Sequence, residues 1–294
     1  MEATVATTKK TKSGKQSPWA QVFKRMRKNK SSMACFYILC FIMLFALTAD
    51  LFLDSEAVYK QTRERRQPPS SDHWFGTDIY GRDIFTRVVY GARVSLTIGL
   101  VAEAVAVLVG GMLGAVGAYY GGKLEELIMR LCDVFAAVPS TLMAMCMVSA
   151  FGTTASSLIL ALSITRMPQY ARLMRSSVMT IAGREFVEAA KAAGMSDGAI
   201  ILTQIIPNTL GTIIVQVSQG IATGILTAAS LSYLGLGVQP PNPEWGALIS
   251  TAREFLRTEP YMSIIPGIVV VITALCFNLV GDGLRDALDP RLKD

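Results

Sequence analysis

The sequence predicts an all-α polytopic membrane protein of six transmembrane helices, with both termini on the cytoplasmic side. Three observations carry this. Of 294 residues, 51% are hydrophobic and only 17% charged, against about 25% charged in soluble domains. Several stretches of roughly 20 residues are almost charge-free, and such a length of helix rises about 30 Å, the depth of a bilayer's hydrocarbon. Finally, Lys9, Lys10, Lys12, Lys15, Lys24, Arg25, Arg27, Lys28 and Lys30 crowd in ahead of the first apolar run, which marks a cytoplasmic flank. A soluble enzyme, a disordered tail and a secreted disulfide scaffold are excluded on these grounds.

Residues 1–32 form a basic cytoplasmic tail with an amphipathic stretch near Trp19–Met26. Its basic excess has a topological cause, so the partner it implies is the lipid bilayer's anionic headgroups and not nucleic acid. The first span covers 33–53. It is too long for a signal peptide's apolar core and no clear A-x-A site follows, so it remains as an anchor. Residues 33–91 thus comprise the first transmembrane helix and an extracytoplasmic segment, and 92–294 a five-helix core. Within that core the spans fall at 94–118, 130–150, 155–173, 209–234 and 263–283, with a polar cytoplasmic loop at about 184–207 and a Pro-rich outer loop at 236–260. On this layout the inner segments hold 18 Lys and Arg and the outer ones 8, which fits an N-in, C-in arrangement.

Gly110, Gly114, Gly117 and Gly121 recur at i, i+4, i+7 and i+11. That spacing lines one helix face with residues that let a neighbouring backbone approach, which predicts helix packing. Glu103 lies mid-span. Two roles fit it: a hydrogen-bonded packing residue facing the bundle, or a carboxylate lining a pathway. Arg166, in the fourth span, reads as an edge residue snorkelling toward headgroups.

No catalytic set is present: the sequence holds no HExxH, G-x-S-x-G or G-x-x-x-x-G-K-[ST]. Gly121-Gly122-Lys123 reads as a tight turn. Cys35, Cys40, Cys132, Cys146 and Cys276 sit in apolar surroundings and His73 is the one histidine, so no metal site is expected. Work driven by ATP requires another chain to bind the nucleotide.

The cytoplasmic loop is the informative segment. Glu185, Glu188 and Lys191 repeat every three residues and give one charged helix face, with Ala189, Ala190 and Ala193 as a flat surface beside it. Gly194 is placed to end this helix. Ser196 or Asp197 can cap a second helix that Pro207 closes. Such a polar elbow suits either a plain connector or a docking point for another protein.

At this point the sequence resembles a known family. Glu188-Ala189-Ala190, then Gly194, then Ile205-Ile206-Pro207 is similar to the EAA motif of permease subunits of ATP-binding-cassette (ABC) importers, with Ile206 in place of the family's Leu. Phe75-Gly76-Thr77-Asp78, Gly81-Arg82-Asp83, Ser232-Tyr233-Leu234-Gly235-Leu236-Gly237, Pro240-Pro241-Asn242-Pro243-Glu244-Trp245-Gly246 and the ending Gly281-Asp282-Gly283-Leu284-Arg285-Asp286 through Asp289-Pro290 resemble the "C"-type permease of the dipeptide/oligopeptide (and nickel) group. The resemblance implies a type I ABC importer (MetI-like) permease fold in the inner membrane of a bacterium or archaeon. It also implies three kinds of protein partner: a second homologous permease, two ABC ATPase subunits carrying ATP and Mg, and an extracytoplasmic solute-binding protein. This chain itself would bind no cofactor. Glu185, Glu188, Ala189, Ala190, Gly194, Ser196, Asp197 and Pro207 would make the ATPase-coupling elbow. Gly76, Thr77, Asp78, Gly81, Arg82 and Asp83 form the extracytoplasmic signature, which either faces the binding protein or braces its own loop. Peptides are the implied cargo; a nickel complex, glutathione or an oligosaccharide are the alternatives within the group. A stand-alone carrier centred on Glu103 is the alternative outside it.

Overall fold

The structure, a computed structural model, describes residues 18–288. Lys9, Lys10, Lys12 and Lys15 of the tail, and Asp289-Pro290 of the ending, lie outside the described residues. The described part is helical. A short amphipathic helix, α1 (Pro18–Met26), leads into α2 (Lys30–Leu47), whose first turn is capped by the Asn29 side chain accepting from the Ser32 amide at 3.2 Å. Asp83 caps α3 (Ile84–Tyr120) in the same way, accepting from the Thr86 amide at 2.8 Å. That cap explains why α3 starts ten residues before the apolar run. At 37 residues it is about 55 Å long and overshoots a bilayer. After a turn at Gly121 come α4 (Gly122–Ala136), α5 (Ser140–Phe151) and α6 (Ala155–Ile181). The elbow follows as α7 (Glu185–Ala192) and α8 (Asp197–Ile200). A π-helical turn, Ile201–Ile205, then leads into α9 (Ile206–Tyr233). A short α10 (Trp245–Ala252) and the long α11 (Tyr261–Leu288) complete the chain.

Among the described residues four helices are long and apolar enough to span a bilayer, or five if α4 and α5 count as one broken span. The remaining long helix, α6, has 27 residues and carries Arg166, Arg172 and Arg175, which lower its hydropathy. This is consistent with six spans, with one correction. The third span is not one helix over 130–150: α4 and α5 meet at 84°. Pro139 has no amide hydrogen and pushes the preceding residue out of the helical region, so the ladder stops there although the apolar run continues.

The long helix α3 is the centre of the bundle. Its most extensive partner is α6, and α9 and α2 pack on its other sides; α11 closes against α9 and α2. One core cluster joins Ile84, Val88, Leu96, Ile225, Trp245, Met262 and Phe277 across α3, α9, α10 and α11. A second joins Ile98, Val148, Leu158 and Leu162 across α3, α5 and α6. At the inner end α1 packs Met26 against Met33 and Ala287, and Arg25 donates to the Ala287 carbonyl at 3.3 Å.

Candidate functional site

The elbow is built by a sharply terminated short helix. In α7, Val187 and Ala190 point inward into a cluster with Ile181, Ile200 and Ile205, while Glu185, Glu188, Ala189 and Lys191 are exposed. One sequence expectation changes here: Ala190 is not part of the outer flat surface, because it shares the i, i+3 face of Val187. The helix ends in a Schellman motif. The Met195 amide donates to the Ala190 carbonyl at 3.1 Å and the Gly194 amide to the Lys191 carbonyl at 3.0 Å, with Gly194 at φ +79°. Ser196 then starts α8, accepting from the Ile200 amide through its backbone carbonyl at 3.0 Å and not through its hydroxyl.

Pro207 requires a second correction. It does not close α8; the chain passes from α8 through the π-helical turn Ile201–Ile205 into α9, with Pro207 in the first turn of α9. A proline is tolerated in a first turn, where its missing amide has no helical partner to serve, and the wider π turn frees that position. The elbow is therefore continuous with a membrane span, and displacement of α8 bears directly on α9.

Tyr119, which the motif did not point to, fixes the elbow to the inner end of α3. Its hydroxyl donates to the Asp197 carboxylate at 2.7 Å, and the Lys191 ammonium lies 4.8 Å from its ring centroid. The adjacent pair Tyr119-Tyr120 at a span end, where aromatic residues anchor to the interface, was the available signal.

At the outer face the signature residues form a brace. Asp78 accepts from Arg82 Nε at 2.7 Å and from the amides of Tyr80 and Arg82, and both charged side chains are buried. Thr77, fully buried, accepts from the Gln67 amide at 2.9 Å and donates to the Glu64 carbonyl. Gly76 and Gly81 sit at the two tight turns. Asp83, besides capping α3, meets His73 Nδ1 at 3.1 Å, and His73 Nε2 meets Glu64 at 3.1 Å. The Glu64 bond, joined by Asp83, raises the His73 pKa above its ordinary range. Arg87, also in the signature region, is buried and donates to the carbonyls of Val58 at 2.8 Å and Pro241 at 3.2 Å, tying the outer segment to the Pro-rich loop. That loop is pinned in turn by Glu244, which caps α10 through the amides of Gly246 (3.0 Å) and Ala247 (2.8 Å), and by Trp245 Nε1 donating to Val88.

Glu103 lies inside the bundle between α3, α6 and α9, where Tyr170 donates to it and Gly220 leaves it room. Gly110 and Gly114 face α6, Gly117 faces α4, and Gly121 makes the turn between α3 and α4. Among the described residues no group of three His, Cys, Asp or Glu side chains is placed to hold a metal ion.

The role of this broken-span helical bundle with its polar elbow follows from comparison with known proteins. The chain belongs to the family described as "Binding-protein-dependent transport system inner membrane component", matched over residues 106–294; residues 17–69 match "N-terminal TM domain of oligopeptide transport permease C". It is 44% identical over 277 residues to "Dipeptide transport system permease protein DppC" of Alkalihalophilus pseudofirmus, covering 94% of this chain and 91% of that one. It is 39% identical over 279 residues to "Glutathione transport system permease protein GsiD" of Escherichia coli, covering 95% and 92%. Among solved structures, an inward-facing MetNI methionine ABC transporter chain superposes with a TM-score of 0.56 at 16% identity, covering 69% of this chain and 97% of that one, a likeness of fold. The chain is thus a multi-pass inner-membrane transport subunit of an ABC importer and not itself an enzyme, and its family works with a partner permease, ATPases and a binding protein.

Proposed function

We propose that this chain carries di- or oligopeptides across the membrane, forming a pathway with a second homologous permease and drawing its energy from two ATPase subunits that bind ATP and Mg. An extracytoplasmic solute-binding protein delivers the cargo. The observation that carries this reading is the elbow: an exposed acidic helix face, held to α3 by Tyr119 and continuous with α9. Glu185, Glu188, Ala189, Ser196 and Asp197 offer the contact surface, Gly194 shapes it, and Ala190 and Pro207 hold it against the bundle. The outer signature, Gly76 to Asp83, braces the extracytoplasmic segment. The division into tail (1–32), first helix with outer segment (33–91) and core (92–294) belongs to the same reading.

The peptide cargo is supported by the dipeptide permease at 44% identity, and glutathione, itself a tripeptide, by the glutathione permease at 39%. Uptake of radiolabelled dialanine by the native host, with and without the gene, tests the proposal. Loss of uptake on deletion, unaffected by excess glutathione in the intact strain, supports the peptide reading. Dialanine uptake that survives deletion, beside glutathione uptake that does not, supports the second.

A further inference from the structure

On α9, Thr212, Gln216, Gln219, Thr223, Thr227 and Ser230 follow one another at spacings of three and four residues, so they occupy one helix face. All six are partly or fully exposed on this chain. Leu226 is the exposed large apolar side chain within this row, whereas two other spans present a wholly apolar row: α11 exposes Ile264, Ile268, Val271 and Leu275, and α3 exposes Val101, Val105 and Leu108. Hydrocarbon would accept those faces but not a row of amides and hydroxyls. The candidate span Asp197–Tyr233, which contains α9, has the lowest hydropathy of the four, 1.6 against 1.9 to 2.4.

We infer that this α9 face is the wall this chain contributes to a water-filled solute pathway, and that the wall recognises solutes through neutral hydrogen bonds. The inference rests on the permease reading above. The hydroxyls of Thr223, Thr227 and Ser230 each donate at 2.8 Å to the carbonyl four residues earlier. Their lone pairs are what remain for the pathway, so this wall accepts hydrogen bonds from N–H groups, and the Gln216 amide can both accept and donate. No Asp, Glu, Lys or Arg occurs between Asp197 and Glu244. The face therefore suits a solute rich in amide N–H groups and offers nothing to a bare cation or a polyanion. At its inner end the wall opens into a groove of about 590 Å³ lined by Asn208, Thr212, Gln216, Gln219 and Arg285. Arg285 lines that groove, and Asp282, outside its lining, accepts from Gln219 at 3.4 Å, so one charge of each sign adjoins the inner end of the otherwise neutral wall.

The test is thiol accessibility in the assembled transporter in membrane vesicles. Cys35, Cys40, Cys132, Cys146 and Cys276 are replaced by serine or alanine, and single cysteines are introduced as Gln216→Cys, Thr223→Cys, Ser230→Cys and, as the lipid-facing reference, Leu275→Cys. A charged methanethiosulfonate reagent should modify the three α9 positions at least about tenfold faster than position 275, since thiolate forms only where water reaches, and dialanine should slow modification of Thr223→Cys. Modification of the α9 positions at the rate of position 275, or their cross-linking to a second permease without modification, overturns the wall. Fast modification that dialanine does not slow leaves the wall standing and overturns the peptide reading. In the native cysteine background, Thr223→Phe should reduce uptake about tenfold while Thr223→Ser retains it, since the phenyl ring obstructs the water-filled passage and the serine keeps the acceptor oxygen; equal uptake by both also overturns the wall.

Discussion

The hydroxyl of Tyr170 in α6 donates to the carboxyl group of Glu103 in α3, and each residue is only 2% exposed. The acidic group in the middle of the apolar span is thus a joint between two helices, held at the point where Gly220 of α9 closes over it. Glu103→Gln keeps an acceptor of the same size for Tyr170, so uptake should stay close to wild type. Tyr170→Phe leaves a buried carboxyl group without its donor, at a cost of about 1–3 kcal/mol. Thermal melts of the purified complex should rank Tyr170→Phe below Glu103→Gln. Loss of uptake in a normally assembled Glu103→Gln transporter would instead make Glu103 a transport group.

The contact of α3 with α6 depends on Gly114. A Cβ there would fall inside the backbone of Ala171. Gly114→Ala should force the helices apart and lower stability by about 1–3 kcal/mol. Gly267→Ala, in α11 with nothing near the added carbon, should be neutral or stabilising by about 0.5–1 kcal/mol. The same melts decide this; equal effects would mean that the α3–α6 packing tolerates a side chain.

His73 predicts a pH dependence at the outer face. Protonated, it donates to both Glu64 and Asp83, and these bonds raise its pKa above the ordinary value of 6.5. A raised folded-state pKa means that the stabilisation is complete below about pH 6.5 and is lost as pH rises through the raised value. Proteolytic nicking within residues 54–83 should therefore accelerate as pH rises above about 6.5, relative to a His73→Gln protein. A ratio that does not change with pH would remove His73 from the brace.

At the elbow, Gly194 holds φ +79°, and proline is locked near −65°. Gly194→Pro should break the Schellman turn and abolish substrate-stimulated ATP hydrolysis while the complex still assembles. Gly198→Ala, with open space around it, is the matched control. Full coupling in Gly194→Pro would take the elbow out of the mechanism.

Much of this organisation was readable in the residues. Hydropathy located the four unbroken apolar spans because burial in lipid is a property of long averages, and Gly194 announced the elbow's end because few other residues take its backbone angle. What escaped were features set by local backbone geometry or distant contact. The apolar run across Pro139 concealed the 84° bend. Pro207 looked like a stop because a π turn cannot be read from composition, and it proved to begin α9. Ala190 faces inward and not toward a partner, which depended on where Val187 packs. Tyr119 stands 78 residues from the Asp197 it holds, and no local pattern links them.

The central claim is that the elbow of this chain docks an ATPase. Affinity purification of the tagged chain from its native host, in mild detergent with mass spectrometry, tests it most directly when wild type is compared with a Glu185→Arg/Glu188→Arg double variant. The account predicts a second permease and ATPase subunits with the wild type, and the permease without the ATPases in the variant. ATPases retained equally by both, or a chain that purifies alone and still transports, would contradict it.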